Sequence, residues 1–168
     1  MIFLKMNHTD LSTEIMKVYP NGGSITVFKS IDMTSEDFKR ILCCAIYFAR
    51  QGCHVVITPK LNAPEKNYAY KLIYGNLQGT KFYGKCPDFS VDGIFYEHEG
   101  YVNKNPKTNL SNMLHRGLKQ SNSIIIEDCG LTDGYIKRTI LARIAANQDI
   151  KEIYVKTGEN LRLVFKAE

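Results

Sequence analysis

Apolar positions along this chain switch between a two-residue and a 3.6-residue period, and each switch marks a change of element. Ser24-Ile25-Thr26-Val27-Phe28 alternates after the turn Pro20-Asn21-Gly22-Gly23, so residues 12 to 29 read as two short strands. A helical stripe follows in Phe38, Ile41, Leu42, Ala45, Phe48 and Ala49. Thr34 is placed to cap that helix, Ser35, Glu36 and Asp37 suit its positive end, and Gly52 suits its exit. His54-Val55-Val56-Ile57-Thr58 is a continuous apolar run closed by Pro59, the pattern of a strand buried on both faces. Residues 60 to 85 lose the period: Asn62-Ala63-Pro64-Glu65 could open a short helix, but the glycines at 75, 79 and 84 favour a loop-rich excursion.

Periodicity returns with a hairpin from Pro87 to Glu99, and Leu110, Leu114, Gly117, Leu118 and Ser121 then mark a second helix. Ile124-Ile125-Ile126 is another buried strand, and Thr132 can cap a third helix carrying Tyr135, Ile136, Thr139, Ile140 and Ile144. Ile150 to Lys156 and Leu161 to Lys166 alternate around Gly158-Glu159-Asn160, a closing hairpin. The order is a strand pair, then α-β-β-β-α-β, then α-β-β, and the expected fold is α/β (α+β) with a single mixed β-sheet flanked by helices. One domain over 1–168 is expected, with the strand pair in 1–33 and the core in 34–168.

The hairpin concentrates the chemistry. Asp92-Gly93 is a two-residue turn signal, because both positions want positive φ. That turn sets Val91 opposite Ile94, Ser90 opposite Phe95, Phe89 opposite Tyr96 and Asp88 opposite Glu97. Phe89, Val91, Ile94 and Tyr96 then share one face, while Asp88, Ser90, Phe95, Glu97 and Glu99 share the other. Like charges directly across a ladder are destabilising. A hard divalent cation, Mg²⁺ or Mn²⁺, offsets that cost, and so does a proton held on one carboxyl.

Composition sharpens this picture at one place. The 168 residues carry a formal charge of +5, a mild hint of a polyanionic partner. Between Lys66 and Ile126 the acidic residues are Asp88, Asp92, Glu97 and Glu99 alone, among Lys66, Lys71, Lys81, Lys85, Lys104, Lys107, Arg116 and Lys119. Carboxylates clustered in a basic segment suit a nuclease: the cations hold phosphates and the carboxylates hold the metal that activates water. Asp92 reads as a turn residue, and His98, on the face of Tyr96, as a packed histidine rather than a general base. Glu127, Asp128 and Asp133 follow a buried strand and read as capping and loop groups. The tyrosines at 68, 70, 74 and 83 read as packing residues, although aromatic rings also stack on bases.

Pro87-Asp88, an eight-residue gap and Glu97-His98-Glu99 resemble the PD-(D/E)xK nuclease signature, and the α-β-β-β-α-β order matches that restriction-endonuclease-like core. More narrowly, Lys85-Cys86-Pro87-Asp88-Phe89-x-Val91-Asp92-Gly93-x-x-Tyr96-Glu97, with Leu118-Lys119-Gln120 leading into Ile124-Ile125-Ile126, resembles the C-terminal tRNase domains of contact-dependent growth inhibition toxins. The resemblance spans about residues 36 to 166. It implies a metal-dependent phosphodiesterase acting on nucleic acid, structured RNA such as tRNA foremost, with Asp88 and Glu97 as metal ligands and a cognate inhibitor protein as a partner. The family's lysine would fall at position 99, where this chain has Glu99. Glu99 would complete the metal's surroundings or take a proton from water, Lys119 would stand in for the lysine, and Gln120 would orient a water or phosphate oxygen. Lys85, Lys104, Lys107 and Arg116 are the expected phosphate-binding residues.

Two rival readings remain: a catalytically inactive nuclease-fold module that binds nucleic acid or protein, and a metal-independent ribonuclease using His98 or His115. Five cysteines, Cys43, Cys44, Cys53, Cys86 and Cys129, follow no disulfide or zinc spacing. With no membrane-length apolar run and no secretory leader pattern, they point to the cytoplasm.

Overall fold

The computed structural model of the chain describes residues 10–61, 68–100, 105–146 and 149–168. One mixed sheet of eight strands runs in the order β1-β2-β3-β4-β5-β6-β7-β8. The strands are β1 (Thr13–Val18), β2 (Ser24–Phe28), β3 (His54–Ile57), β4 (Phe89–Val91), β5 (Ile94–Glu99), β6 (Ser123–Glu127), β7 (Glu152–Thr157) and β8 (Asn160–Lys166). The helices are α1 (Glu36–Ala49), α2 (Tyr68–Tyr74), α3 (Pro106–Gly117) and α4 (Asp133–Ala146). Pairs β2–β3, β5–β6 and β6–β7 are parallel, and each is joined by a crossover through α1, α3 or α4. Hairpins account for the antiparallel pairs β1–β2, β4–β5 and β7–β8.

Alternation along the strands divides the core between the two faces. On one face α1 lays Phe38, Ala45 and Phe48 over Ile25, Val55, Phe89 and Tyr96. On the other, Ile124, Ile126, Ile153 and Val155 pack against Leu110, Met113 and Leu114 of α3 and Ile136 and Ile140 of α4. Tyr70 and Tyr74 of α2 gather Leu77, Phe82, Cys86 and Phe95 into a third cluster. Tyr70 and Tyr74 are thus core residues, and only Tyr68 of the four tyrosines is largely exposed.

The hairpin register is the expected one. Phe89 pairs with Tyr96, Ser90 with Phe95 and Val91 with Ile94. Asp92 and Gly93 take φ of 47° and 85°, the left-handed pair that a two-residue turn demands. Ile94 departs from the expected buried face, because it sits at the hairpin tip and is 53% exposed.

Other elements shift. Helix α1 is capped by Ser35, whose Oγ accepts from Phe38 N at 3.1 Å, not by Thr34. Thr34 is diverted because its hydroxyl donates to Asp32 Oδ1 at 2.6 Å. Ser35→Ala is therefore expected to cost about 1 kcal/mol, more than Thr34→Ala. The check is a lower denaturant midpoint at unchanged m.

Strand β3 is buried fully on one face only, with Val55 and Ile57 inside, Val56 half-covered and His54 exposed. The excursion after Pro59 contains the helix α2, and residues 62 to 67 lie outside the described residues. The second predicted helix ends at Gly117 rather than continuing to Ser121. All five cysteines are free thiols. Among the described residues, no helix is long and apolar enough to cross a membrane.

Candidate active site

The carboxyl ends of β3 and β5 meet the start of β4 in the middle of the sheet. Between the first turns of α1 and Arg116 of α3 they frame a cleft of about 720 Å³. Asp88, Glu97 and Glu99 line it, as the hairpin register requires, together with Arg116 of α3. Asp88 is 6% exposed and Glu97 is 7% exposed, so both carboxyls have lost most of their water.

Asp88 is held from several sides. Its backbone N–H donates to Tyr96 O at 3.0 Å, and its carbonyl accepts from Thr58 N at 3.0 Å. Its Oδ2 accepts from His98 N at 2.8 Å.

Lys60 completes the cluster, and it was not among the expected residues. Its Nζ lies 2.8 Å from Asp88 Oδ1 and 3.6 Å from Glu97 Oε2, and it donates to Cys86 O at 2.6 Å. Tertiary closure brings it there. The Tyr74 hydroxyl lies 2.7 Å from Pro59 O and 3.3 Å from Pro87 O, while Thr58 Oγ1 donates to Pro87 O at 2.6 Å. These bonds tie the exit of β3 to the approach to β4 and leave Lys60 facing both carboxylates. A signal was available: Lys60 follows Pro59 at the carboxyl end of a strand, where α/β sheets gather their ligands.

The charges oppose one another strongly. Burial, then the neighbouring Asp88 carboxylate, pushes the Glu97 carboxyl up to about 8, against the pull of Lys60. Glu97 Oε2 is buried with no hydrogen-bond partner among the described residues. Burial also draws the Lys60 ammonium down, but Asp88 and Glu97 outweigh it and leave it raised. Glu99 is raised by burial in spite of Arg116, whose Nε donates to Glu99 Oε2 at 2.8 Å and whose Nη2 donates to Gly100 O at 2.5 Å.

His98 projects to the other face, as expected, and its side chain is 6% exposed. It bonds Glu127 Oε1 at 2.9 Å, and Lys156 Nζ donates to the same oxygen at 2.9 Å. Glu127 is therefore a half-buried tie between β5, β6 and β7 rather than a solvated loop group. Burial pushes it up, but the hydrogen bonds from His98 and Lys156 prevail and hold it low. Asp128 accepts from Gly130 N and Thr157 Oγ1, and Asp133 pairs with Arg162 at the surface.

Four expected site residues fall elsewhere. Lys119 and Gln120 sit in the turn beyond Gly117, outside the second helix, which was expected to run on to Ser121. Lys119 is exposed, and Gln120 lines a separate hollow with Asn76, Phe95 and Lys151, near the hairpin tip. The cause is Gly117, which packs so closely that an added Cβ would stand 3.2 Å from both Glu99 Cγ and Ile124 Cγ2. Lys85 is half-buried and does not line the cleft. Lys107 is exposed beside Tyr135, and Lys104 lies outside the described residues.

A divalent ion needs oxygen ligands, and the paired carboxylates with the orphan Glu97 Oε2 suit one. Among the described residues no group of three or more His, Cys, Asp or Glu is placed to hold a metal. Two carboxylates with water and substrate phosphate is the sparser set that Mg²⁺ accepts.

No protein-family model matches the chain, and neither does any curated protein. Among solved structures, the chain is similar to one in the "CdiA-CT/CdiI toxin and immunity complex from Burkholderia pseudomallei". The TM-score is 0.46 at 18% identity, over 93% of this chain and 98% of that one.

Proposed function

We propose that the protein is a metal-dependent phosphodiesterase of nucleic acid, with Asp88 and Glu97 as its metal ligands. The observation that carries this reading is the pair of nearly buried carboxylates facing one cation, Lys60, in an open cleft. Burial of Glu97 Oε2 is answered only by Lys60 at 3.6 Å, a weak compensation that a divalent cation would improve. When bound, a divalent cation would supply Lewis-acid charge at phosphorus and lower the pKa of a coordinated water. Lys60 takes the part that the signature gives its lysine, balancing charge that develops on the phosphate oxygens. Arg116 is fixed by Glu99 and Gly100 at the wall of the cleft and presents its remaining N–H groups to a phosphate. RNA, and tRNA in particular, is proposed from the sequence resemblance alone. So is a cognate inhibitor protein.

Purified protein is expected to cut tRNA or total RNA with Mg²⁺ or Mn²⁺ and to stop in EDTA. No cleavage of tRNA, total RNA or DNA under any metal condition rejects catalysis, and cleavage that survives EDTA rejects the metal. One observation favours a second reading: the Lys60 ammonium already occupies the place between the carboxylates. A built-in counter-ion of that kind is what an inactive binding module would keep. Titration with Mn²⁺ separates the two readings, since the module would show no affinity that depends on Asp88 and Glu97.

A further inference from the structure

Helices α3 and α4 carry a surface whose charge has no internal answer. α3 has no acidic residue, and α4 has only Asp133, which Arg162 meets at 2.8 Å. Lys107 on α3 and Lys137, Arg138 and Arg143 on α4 stand against that single acid. Among the described residues, none of the four lies within 4.0 Å of a carboxylate.

Three of these cations line the groove between the helices. Lys107 Nζ lies 5.4 Å from the centre of the Tyr135 ring, and the Arg138 guanidinium carbon lies 6.0 Å from the same centre. Arg143 crosses the groove to donate to Ser111 Oγ at 2.9 Å. From Tyr135 to Arg143 the groove follows about 12 Å of helix axis. Arg116, nine residues after Lys107, leaves α3 on the opposite side and stands in the cleft.

We propose that the α3–α4 groove is the docking platform for a base-paired stretch of the nucleic acid, gripping its phosphates through Lys107, Arg138 and Arg143. The identity of the polyanion rests on the nuclease reading above. A duplex is favoured over a single strand by the state of the aromatic group. Single-strand sites present open rings on which bases stack. Tyr135 is half-buried and flanked by two cations, so this groove offers charge without a stacking surface. Such a surface reads backbone rather than sequence.

The test is equilibrium binding in EDTA, so that its outcome does not depend on cleavage. The ligands are an RNA hairpin, a DNA duplex of the same sequence, a single strand of equal length and phosphatidylserine vesicles, each over a salt series. With Lys107→Gln and Arg138→Gln combined, the slope of log K against log salt for the hairpin is expected to fall by about 2, since each phosphate contact contributes about 0.9. The charge-keeping pair Lys107→Arg and Arg138→Lys should retain the slope. Lys17→Gln with Lys29→Gln, at the far edge of the sheet, should also leave it unchanged. The DNA duplex should follow the hairpin, because phosphates are read in both.

An unchanged slope in the groove variant overturns the proposal, as does tighter binding of the single strand than of the hairpin. Loss of vesicle binding without loss of hairpin binding reassigns the groove to a membrane surface and also overturns it. If no metal ever supports cleavage and the slope still falls, the nuclease reading fails and the groove stands. If cleavage occurs and the slope does not move, the groove alone fails.

Discussion

Glu97→Gln is expected to abolish metal-dependent cleavage while leaving the metal-free protein at least as stable as before at alkaline pH. The amide keeps the shape of the side chain but cannot carry the charge that a divalent cation requires. Metal affinity should fall by at least about 100-fold, the upper range for losing even a hydrogen-bond partner of a ligand. Stability should move the other way, and the sign follows from linkage. In the folded chain the Glu97 carboxyl sits at about 8, against its ordinary 4.5. Across that window the folded state keeps a proton that the unfolded state releases. The contribution is fully present below about 4.5 and is lost as pH rises through about 8, by at most about 1.4 kcal/mol per pH unit. Glu127, held low by His98 and Lys156, and Glu152, which burial raises but Lys166 and Tyr96 pull below its ordinary value, act instead in the acid range, where protonation removes their benefit. Chemical denaturation from pH 5.5 to 8.5 should show the wild type weakening more steeply than Glu97→Gln, in which Glu99, also raised by burial, keeps a residual slope. Parallel curves would mean that Glu97 is not the group held protonated.

The fraction of this site that could be read from sequence was the local fraction. Asp92-Gly93 permits essentially one hairpin, and once the turn is set, period two places Asp88, Glu97 and Glu99 together. The presence of a buried strand followed from an apolar run, as in Ile124-Ile125-Ile126, all of them buried. Lys60 escaped because its position depends on Tyr74, fourteen residues later, closing Pro59 onto Pro87. Periodicity carries no trace of that contact. Lys119 and Gln120 were misplaced for the opposite reason. The helical pattern continues past Gly117, but the close approach of that glycine to Glu99 and Ile124 fixes α3 against the sheet, and the chain turns there. The α1 cap moved by one residue because Asp32 competes for Thr34, and two adjacent hydroxyls are equivalent until a third group chooses between them.

Lys60→Met is the substitution that tells a catalytic lysine from a counter-ion, because its effects on binding and turnover should have opposite signs. Removing the ammonium takes away the nearest positive charge from Asp88 and Glu97. A fully buried pair broken in this way loses 3–5 kcal/mol, and the Lys60 side chain is 60% exposed, so a cost of about 1–3 kcal/mol is expected for the metal-free protein. Mn²⁺ should recover most of that loss, since a divalent cation replaces the missing charge. Lys60 also competes for the oxygens a metal would use, so Mn²⁺ affinity at fixed pH should rise. Turnover with saturating Mn²⁺ should nevertheless fall by about 10²–10³-fold, the usual cost of deleting a group that stabilises developing charge. Lys60→Arg should keep stability near wild type and recover only part of the rate, because the guanidinium is planar and larger than the ammonium. Tighter metal binding with undiminished turnover would make Lys60 a counter-ion and nothing more. A fall in both, with no recovery of stability by Mn²⁺, would mean that the carboxylates hold Lys60 for the fold and that the metal belongs elsewhere.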